Sequence, residues 1–201
     1  MVIELLKSKA VEKGLLSPES EIDAERAFLL VRDMPYIRAS SRQPETIIQE
    51  WRGTCSGKHY LLKQLFTELG YSSKLIACTT FARIDPQSVP DKLRELLEQS
   101  NGRFVDVHNY LILDTPQGEM VVDATWPMST DGTGTVVNKS FHMGVDQQIA
   151  CKPHQIWEVP ENQDPQAFKE AILKENFTSE ELSHREQFIF ALGELSGTAQ
   201  T

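Results

Sequence analysis

Apolar residues recur at helical spacing near both ends of the chain, and strand-like runs occupy its middle. Residues 2–13 and 22–34 carry apolar side chains three or four positions apart, which predicts two amphipathic helices. The same spacing from Leu61 to Leu69 predicts a third helix that ends at Gly70. The other predicted elements are a helical turn at 45–51, a strand at 74–81, a helix at 91–99, an edge strand at 156–159 and helices at 165–174 and from Ser179, with 193–201 frayed.

Two further β-rich runs, 104–113 and 120–125, predict a hairpin whose longer loop covers residues 114–119. Helices therefore precede and follow a central group of strands. This order predicts an α+β fold in which N-terminal helices pack on a central antiparallel sheet. The length of 201 residues fits one domain, 1–201, with a core at about 44–160, N-terminal helices in 1–43 and C-terminal helices in 161–195.

Composition and charge exclude several classes of partner. The formal net charge of −9 argues against nucleic acid, whose phosphates require clustered Lys and Arg. No basic amphipathic stretch indicates a membrane surface, and no apolar run approaches the ~18 residues of a membrane span. The first residues lack the features of a signal peptide, so a cytoplasmic location is expected. The three cysteines are expected to be reduced thiols, and the oligomeric state is left open.

Cys55 is the first candidate for chemistry, because it lies where the helix through Leu61 begins. The positive end of a helix dipole and its unpaired N–H groups favour a thiolate. On the predicted hairpin, His108 pairs with a residue around 125–127, so Asp123 lies two or more positions away. Diagonal neighbours on one face of a sheet are ~7–8 Å apart, within reach of both side chains. Cys55, His108 and Asp123 would then be nucleophile, base and orienting acid.

Each of these residues also has a structural interpretation. A cysteine in a helix commonly serves as a small hydrophobe, and Cys78, within an apolar strand, fits that role well. A histidine on a strand is commonly a half-buried packing residue, and an aspartate at a strand end commonly forms a turn. The order of the three residues and their local contexts favour chemistry over these alternatives.

Three short motifs resemble the transglutaminase-like core of the papain-like cysteine superfamily. They are Gly53-Thr54-Cys55 opening a helix that runs to Leu69-Gly70-Tyr71, then His108-Asn109-Tyr110, then Val122-Asp123-Ala124-Thr125. The resemblance covers roughly residues 50–127 and implies a Cys55-His108-Asp123 triad. The start at Arg52 and the spacing from His108 to Asp123 also resemble arylamine N-acetyltransferases. Those enzymes typically carry Arg-Gly-Gly-x-Cys, whereas a single Gly precedes the cysteine here.

The resemblance implies that Cys55 attacks an amide, ester or thioester carbonyl and that water or an amine resolves the thioacyl-enzyme. The expected substrate is a peptide, a protein or a small amide or acyl compound. The Cys55 N–H is the expected first oxyanion donor; further oxyanion or substrate-side candidates are Gln49, Trp51, His59 and His142. No Cys-x-x-Cys or His-Glu-x-x-His pattern is present, so no metal and no cofactor is predicted. The alternative is a catalytically silent relative that binds a peptide or protein partner.

Overall fold

The computed structural model describes residues 1–198, which form seven α-helices, two short 3-10 helices and a four-stranded sheet. This confirms the predicted α+β class. The helices are α1 (Val2–Glu12), α2 (Ala24–Arg32), α3 (Pro44–Glu50), α4 (Cys55–Glu68), α5 (Asp91–Gln99), α6 (Pro165–Asn176) and α7 (Ser179–Thr198). The strands are β1 (Ser73–Arg83), β2 (Arg103–Thr115), β3 (Gly118–Val122) and β4 (Pro153–Glu158), and the 3-10 helices are Pro86–Ser88 and Met128–Thr130.

The sheet has the order β3-β2-β1-β4, so β3 and β4 are its edges. β2 pairs antiparallel with β3, and β1 pairs antiparallel with β4. The predicted edge strand near Ile156 is thereby confirmed, and Ile156 lies opposite Cys78. The register of β1 against β4 shifts between Cys78 and Thr80, which marks an irregularity in the ladder.

The β2–β3 hairpin differs from the prediction at both of its ends. Thr115 pairs directly with Gly118, so the turn has two residues where a longer loop was expected. The Thr115 hydroxyl donates to the Gly118 carbonyl at 2.7 Å, and Gly118 adopts a φ of 118°, which glycine tolerates best. β3 then ends at Val122, so the expected extension of this strand to Thr125 is wrong.

The chain divides into two compact units. Unit 1 comprises residues 1–75 and 109–150, and its helices α1, α2 and α3 all contact α4. The buried face of α4 carries the apolar residues whose spacing predicted it, including Leu65 and Phe66. Phe141 packs on Phe66 with ring centroids 6.1 Å apart. The carboxylate of Glu68, at the last residue of α4, accepts the backbone N–H groups of Val2 and Ile3 at 2.9 Å each.

Unit 2 comprises residues 76–108 and the chain from 151 onward. Its apolar cluster brings α5 and α7 together through Leu93, Leu97, Phe188 and Ala191. α7 continues to Thr198, so fraying from residue 193 is wrong for residues 193–198, while 199–201 lie outside the described residues. An ion pair between Lys92 and Glu194 joins α5 to this part of α7.

Within residues 1–198, no helix combines the length and the apolar character needed to cross a bilayer. The predicted single domain and its inner boundaries remain predictions.

Candidate active site

Cys55 is the first residue of α4, as predicted, and only 2% of it is exposed. Thr54 precedes the helix in an extended conformation, and its side chain forms no capping hydrogen bond. Gly57, in the first turn, lies against α3: a Cβ added there would lie 2.5 Å from Ile47 Cδ1. The start of α4 is therefore held close to α3, and a residue without a side chain is needed at the contact.

Asp123 follows the last residue of β3 and is 1% exposed. Its Oδ1 accepts the Thr125 N–H at 3.0 Å, and its Oδ2 accepts the Ala150 N–H at 2.8 Å. The Asp123 N–H donates to Gln147 Oε1, and its carbonyl accepts from Asn138 Nδ2, both at 2.8 Å. These bonds fix both the carboxylate and the backbone of Asp123, which is the property an orienting acid requires.

His59 is fully buried, and backbone groups bind both of its ring nitrogens. Nε2 lies 2.9 Å from the Ala124 N–H, and Nδ1 lies 2.7 Å from the Cys55 carbonyl oxygen. A backbone N–H can only donate and a carbonyl can only accept, so Nε2 is unprotonated and Nδ1 carries the proton. His59 is therefore the neutral tautomer, although Nε2 is also 3.6 Å from Asp123 Oδ1. A substrate-side role for His59 would require one of these backbone bonds to open.

Lys58 is also fully buried, three residues after Cys55. Its Nζ donates to the carbonyl oxygens of Arg32 at 2.8 Å and Thr125 at 3.0 Å. Burial lowers the pKa of Lys58 to about 7, and the negative charges of Asp33 and Asp123 only partly oppose this effect.

The consecutive residues Lys58 and His59 together bind the segment 123–125, which we call the Asp123 segment. Lys58 binds the carbonyl of Thr125, and His59 binds the N–H of Ala124. Two side chains from the first turns of α4 therefore hold the segment that carries Asp123. No sequence motif indicated this arrangement, because the predicted strand would have paired these backbone groups with β2.

A second contact joins the start of α4 to β2. Ser56 Oγ donates to Asn109 Oδ1 at 3.0 Å, and both side chains are buried. Ser56 follows Cys55 in the chain, and Asn109 follows His108. Sequence reasoning missed both partners of this bond, and the only available signal was a polar residue within a predicted strand.

His108 lies on β2 in unit 2 and is 5% exposed. Two residues before it, Asp106 accepts from Arg185 Nε at 2.7 Å and lies 3.8 Å from Lys169 Nζ. Burial raises the pKa of Asp106, but the charges of Arg185 and Lys169, and to a lesser extent that of His108, outweigh burial, so the net pKa is lowered. This buried ion cluster is a feature that no sequence motif predicted.

The three residues of the predicted triad belong to different units. Cys55 and Asp123 lie in unit 1, and His108 lies in unit 2. Their action as a triad stays a prediction.

The remaining candidates occupy varied environments. Gln49 is exposed on α3, and His142 is exposed in the chain between β3 and β4. Trp51 ends α3 in the left-handed conformation, with φ of 51°, and is largely buried, with the Lys13 ammonium 5.7 Å from its ring centroid. Their oxyanion or substrate-side roles stay predictions. Among the residues that the structure describes, no three His, Cys, Asp or Glu side chains form a group that could hold a metal ion.

No protein-family model matches the chain, and neither a curated protein nor a solved structure matches it significantly. The resemblance to the transglutaminase-like family therefore rests on its three sequence motifs.

Proposed function

We propose that the protein is a cysteine-dependent hydrolase or acyltransferase with a transglutaminase-like core, acting on an amide, ester or thioester bond. The observation that carries the proposal is the Ser56–Asn109 hydrogen bond at the start of α4. It joins the residue after Cys55 to the residue after His108. Within unit 1, the helix start that bears the proposed nucleophile is thus bound to the residue that follows the proposed base in the chain.

The environment of Asp123 also supports the proposal. Two backbone N–H groups bind its buried carboxylate, and Lys58 and His59 hold the rest of the Asp123 segment. Hydrogen bonds to a carboxylate favour its charged form. A charged and fixed Asp123 is what the proposed orientation of the His108 imidazole requires.

In the proposed reaction, His108 takes the proton of Cys55, and the thiolate attacks the substrate carbonyl carbon. The negative charge that develops on the carbonyl oxygen is stabilised by the Cys55 backbone N–H at the start of α4. The tetrahedral intermediate collapses to a thioacyl-enzyme as His108 returns the proton to the leaving group. Water or an amine then attacks the thioester, which regenerates the Cys55 thiol.

A catalytically silent relative that binds a peptide or protein partner is the second candidate. The low exposure of Cys55, 2%, favours it, because a buried thiol commonly acts as a small hydrophobe. The two candidates differ in the reactivity of the thiol, which a labelling experiment measures directly.

The test is the rate of iodoacetamide labelling at pH 6, followed by mass spectrometry of the three cysteine peptides. We expect Cys55 to react faster than the buried Cys78 and the half-buried Cys151. His108→Gln should slow the labelling of Cys55 about tenfold or more. His154→Gln, at an exposed histidine of β4, should leave the labelling rate of Cys55 unchanged. Equal labelling of the three cysteines would support the silent relative.

Turnover is tested by a screen of acyl donors against wild type and Cys55→Ala. The donors should include peptide amides, aryl esters and an acetyl thioester, each with water, a primary amine or an arylamine as acceptor. Activity that survives in Cys55→Ala would refute the proposed nucleophile. Circular dichroism melts of each variant separate loss of chemistry from loss of fold.

A further inference from the structure

Two cysteines outside the candidate active site lie close together in unit 2. Cys78 is on β1, and Cys151 lies just before β4. Their Sγ atoms are 3.9 Å apart. A disulfide has an S–S length of about 2.05 Å, so the two sulfurs must approach by roughly 2 Å to form one.

The local backbone favours this approach. Cys151 lies outside the β4 ladder, which begins at Pro153, and the chain bends at residues 150–151. The β1–β4 register is irregular between Cys78 and Thr80. A cysteine outside a regular ladder can move without breaking the pairing of β1 with β4.

The two thiols differ in access to solvent. Cys78 is fully buried, whereas Cys151 is half-buried. An oxidant in solution therefore reaches Cys151 first, and Cys78 is placed to attack the sulfur of an oxidised Cys151. A half-buried thiol beside a fully buried resolving thiol is the arrangement expected of a reversible dithiol–disulfide pair.

We propose that Cys78 and Cys151 are a redox modification site. A low-molecular-weight disulfide such as glutathione disulfide oxidises the two thiols, which form an intramolecular disulfide with each other. The Cys151 thiolate attacks one glutathione sulfur, forms a mixed disulfide and releases a glutathione thiolate. The Cys78 thiolate then attacks the Cys151 sulfur and releases the second glutathione. Two electrons pass from the protein to glutathione disulfide, and the two thiol protons end on the two released glutathiones.

The disulfide would link β1 to the start of the edge strand β4 and close a chain segment between residues 78 and 151. A covalent link across a long segment restricts the unfolded chain more than the folded one. The oxidised protein should therefore have a higher Tm than the reduced protein, and dithiothreitol should reverse the change.

The experiment incubates the full chain in glutathione buffers of graded redox ratio, quenches with acid and counts free thiols under denaturing conditions. Wild type has three cysteines and should retain one free thiol. Digestion should yield one bridged peptide containing Cys78 and Cys151. The control Cys55→Ser should form the same bridge and retain no free thiol.

Two variants test the order of the steps. Cys78→Ser should stop at a glutathione adduct on Cys151, and Cys151→Ser, at the half-exposed position, should form no bridge at Cys78. Wild-type protein that accumulates a glutathione adduct without the bridge, or a bridge that includes Cys55, would overturn the proposal. Because the readouts are thiol count and bridged peptide, the test does not depend on the proposed enzymatic activity.

Discussion

Replacement of Lys58 by methionine tests whether the buried amine of α4 loses its charge in the folded protein. Lys58 is completely buried, and its Nζ donates to two neutral backbone carbonyls. A neutral amine has two N–H donors, enough for both bonds. Methionine retains much of the length of the side chain but removes its titratable group.

The magnitude follows from the pKa. Burial lowers the pKa of Lys58 from 10.5 to about 7. Between these values the unfolded chain binds a proton that the folded protein does not, so stability rises with pH by about 1.4 kcal/mol per pH unit. Below pH 7 both states are protonated, and the full penalty of the buried charge is present. From pH 7.5 to 9.5 the contribution of Lys58 therefore grows by roughly 2–3 kcal/mol.

The assay is urea unfolding of wild type and Lys58→Met at several pH values from 7.5 to 9.5. When the unfolding free energy of Lys58→Met is subtracted from that of wild type, the pH dependence of the groups that both proteins share cancels. The difference should change by roughly 2–3 kcal/mol in favour of wild type as the pH rises. Lys63→Met is the matched control, because Lys63 lies on the same helix, donates to the Ser73 carbonyl and is half-exposed.

If the difference in unfolding free energy between wild type and Lys58→Met does not change from pH 7.5 to 9.5, that result refutes the reasoning. It would mean that the protonation of Lys58 does not differ between the folded and unfolded chains. An equal slope for Lys63→Met would likewise show that the effect does not come from the burial of Lys58.

Three other substitutions test the packing and the buried polar groups. Gly57→Ala should lower the free energy of unfolding by about 1–2 kcal/mol, since overpacking against Ile47 exceeds the gain in helix propensity. In urea unfolding, the double variant Gly57→Ala with Ile47→Val should lose less stability than the two single variants lose together. Additive losses would contradict the contact between Gly57 and Ile47. His59→Ala should cost about 2–4 kcal/mol in the same assay, because the buried Ala124 N–H and the Cys55 carbonyl each lose one hydrogen bond, and unchanged stability would contradict that role. Asp106→Asn should cost about 3–5 kcal/mol at pH 7, because it removes the buried carboxylate that binds Arg185. Because the pKa of Asp106 is lowered in the folded protein, the stability that wild type has over Asp106→Asn should be lost as the pH falls below that pKa. If the difference in stability between the two proteins stays constant during acid unfolding, the ion cluster is contradicted.

The sequence by itself determined the kinds of elements and most of their positions. Apolar spacing predicted α4, and its start at Cys55 agrees with the structure. The edge strand at Ile156, which Pro160 follows, and the helix that Pro165 opens were likewise predicted, because apolar residues and prolines act within one element. The three triad candidates came from short motifs, and their chemistry stays a prediction.

Only the tertiary structure decided which polar groups meet. Val121 and Val122 favour a strand, but no local pattern shows that the next backbone N–H groups bond to side chains instead of β2. Lys58 and His59 look like ordinary polar residues of a helix, yet both are fully buried. Each of them also has a partner more than sixty positions away, in the Asp123 segment. Periodicity reports which face of an element is buried, whereas these bonds depend on which elements come together, and that is fixed only when the chain folds.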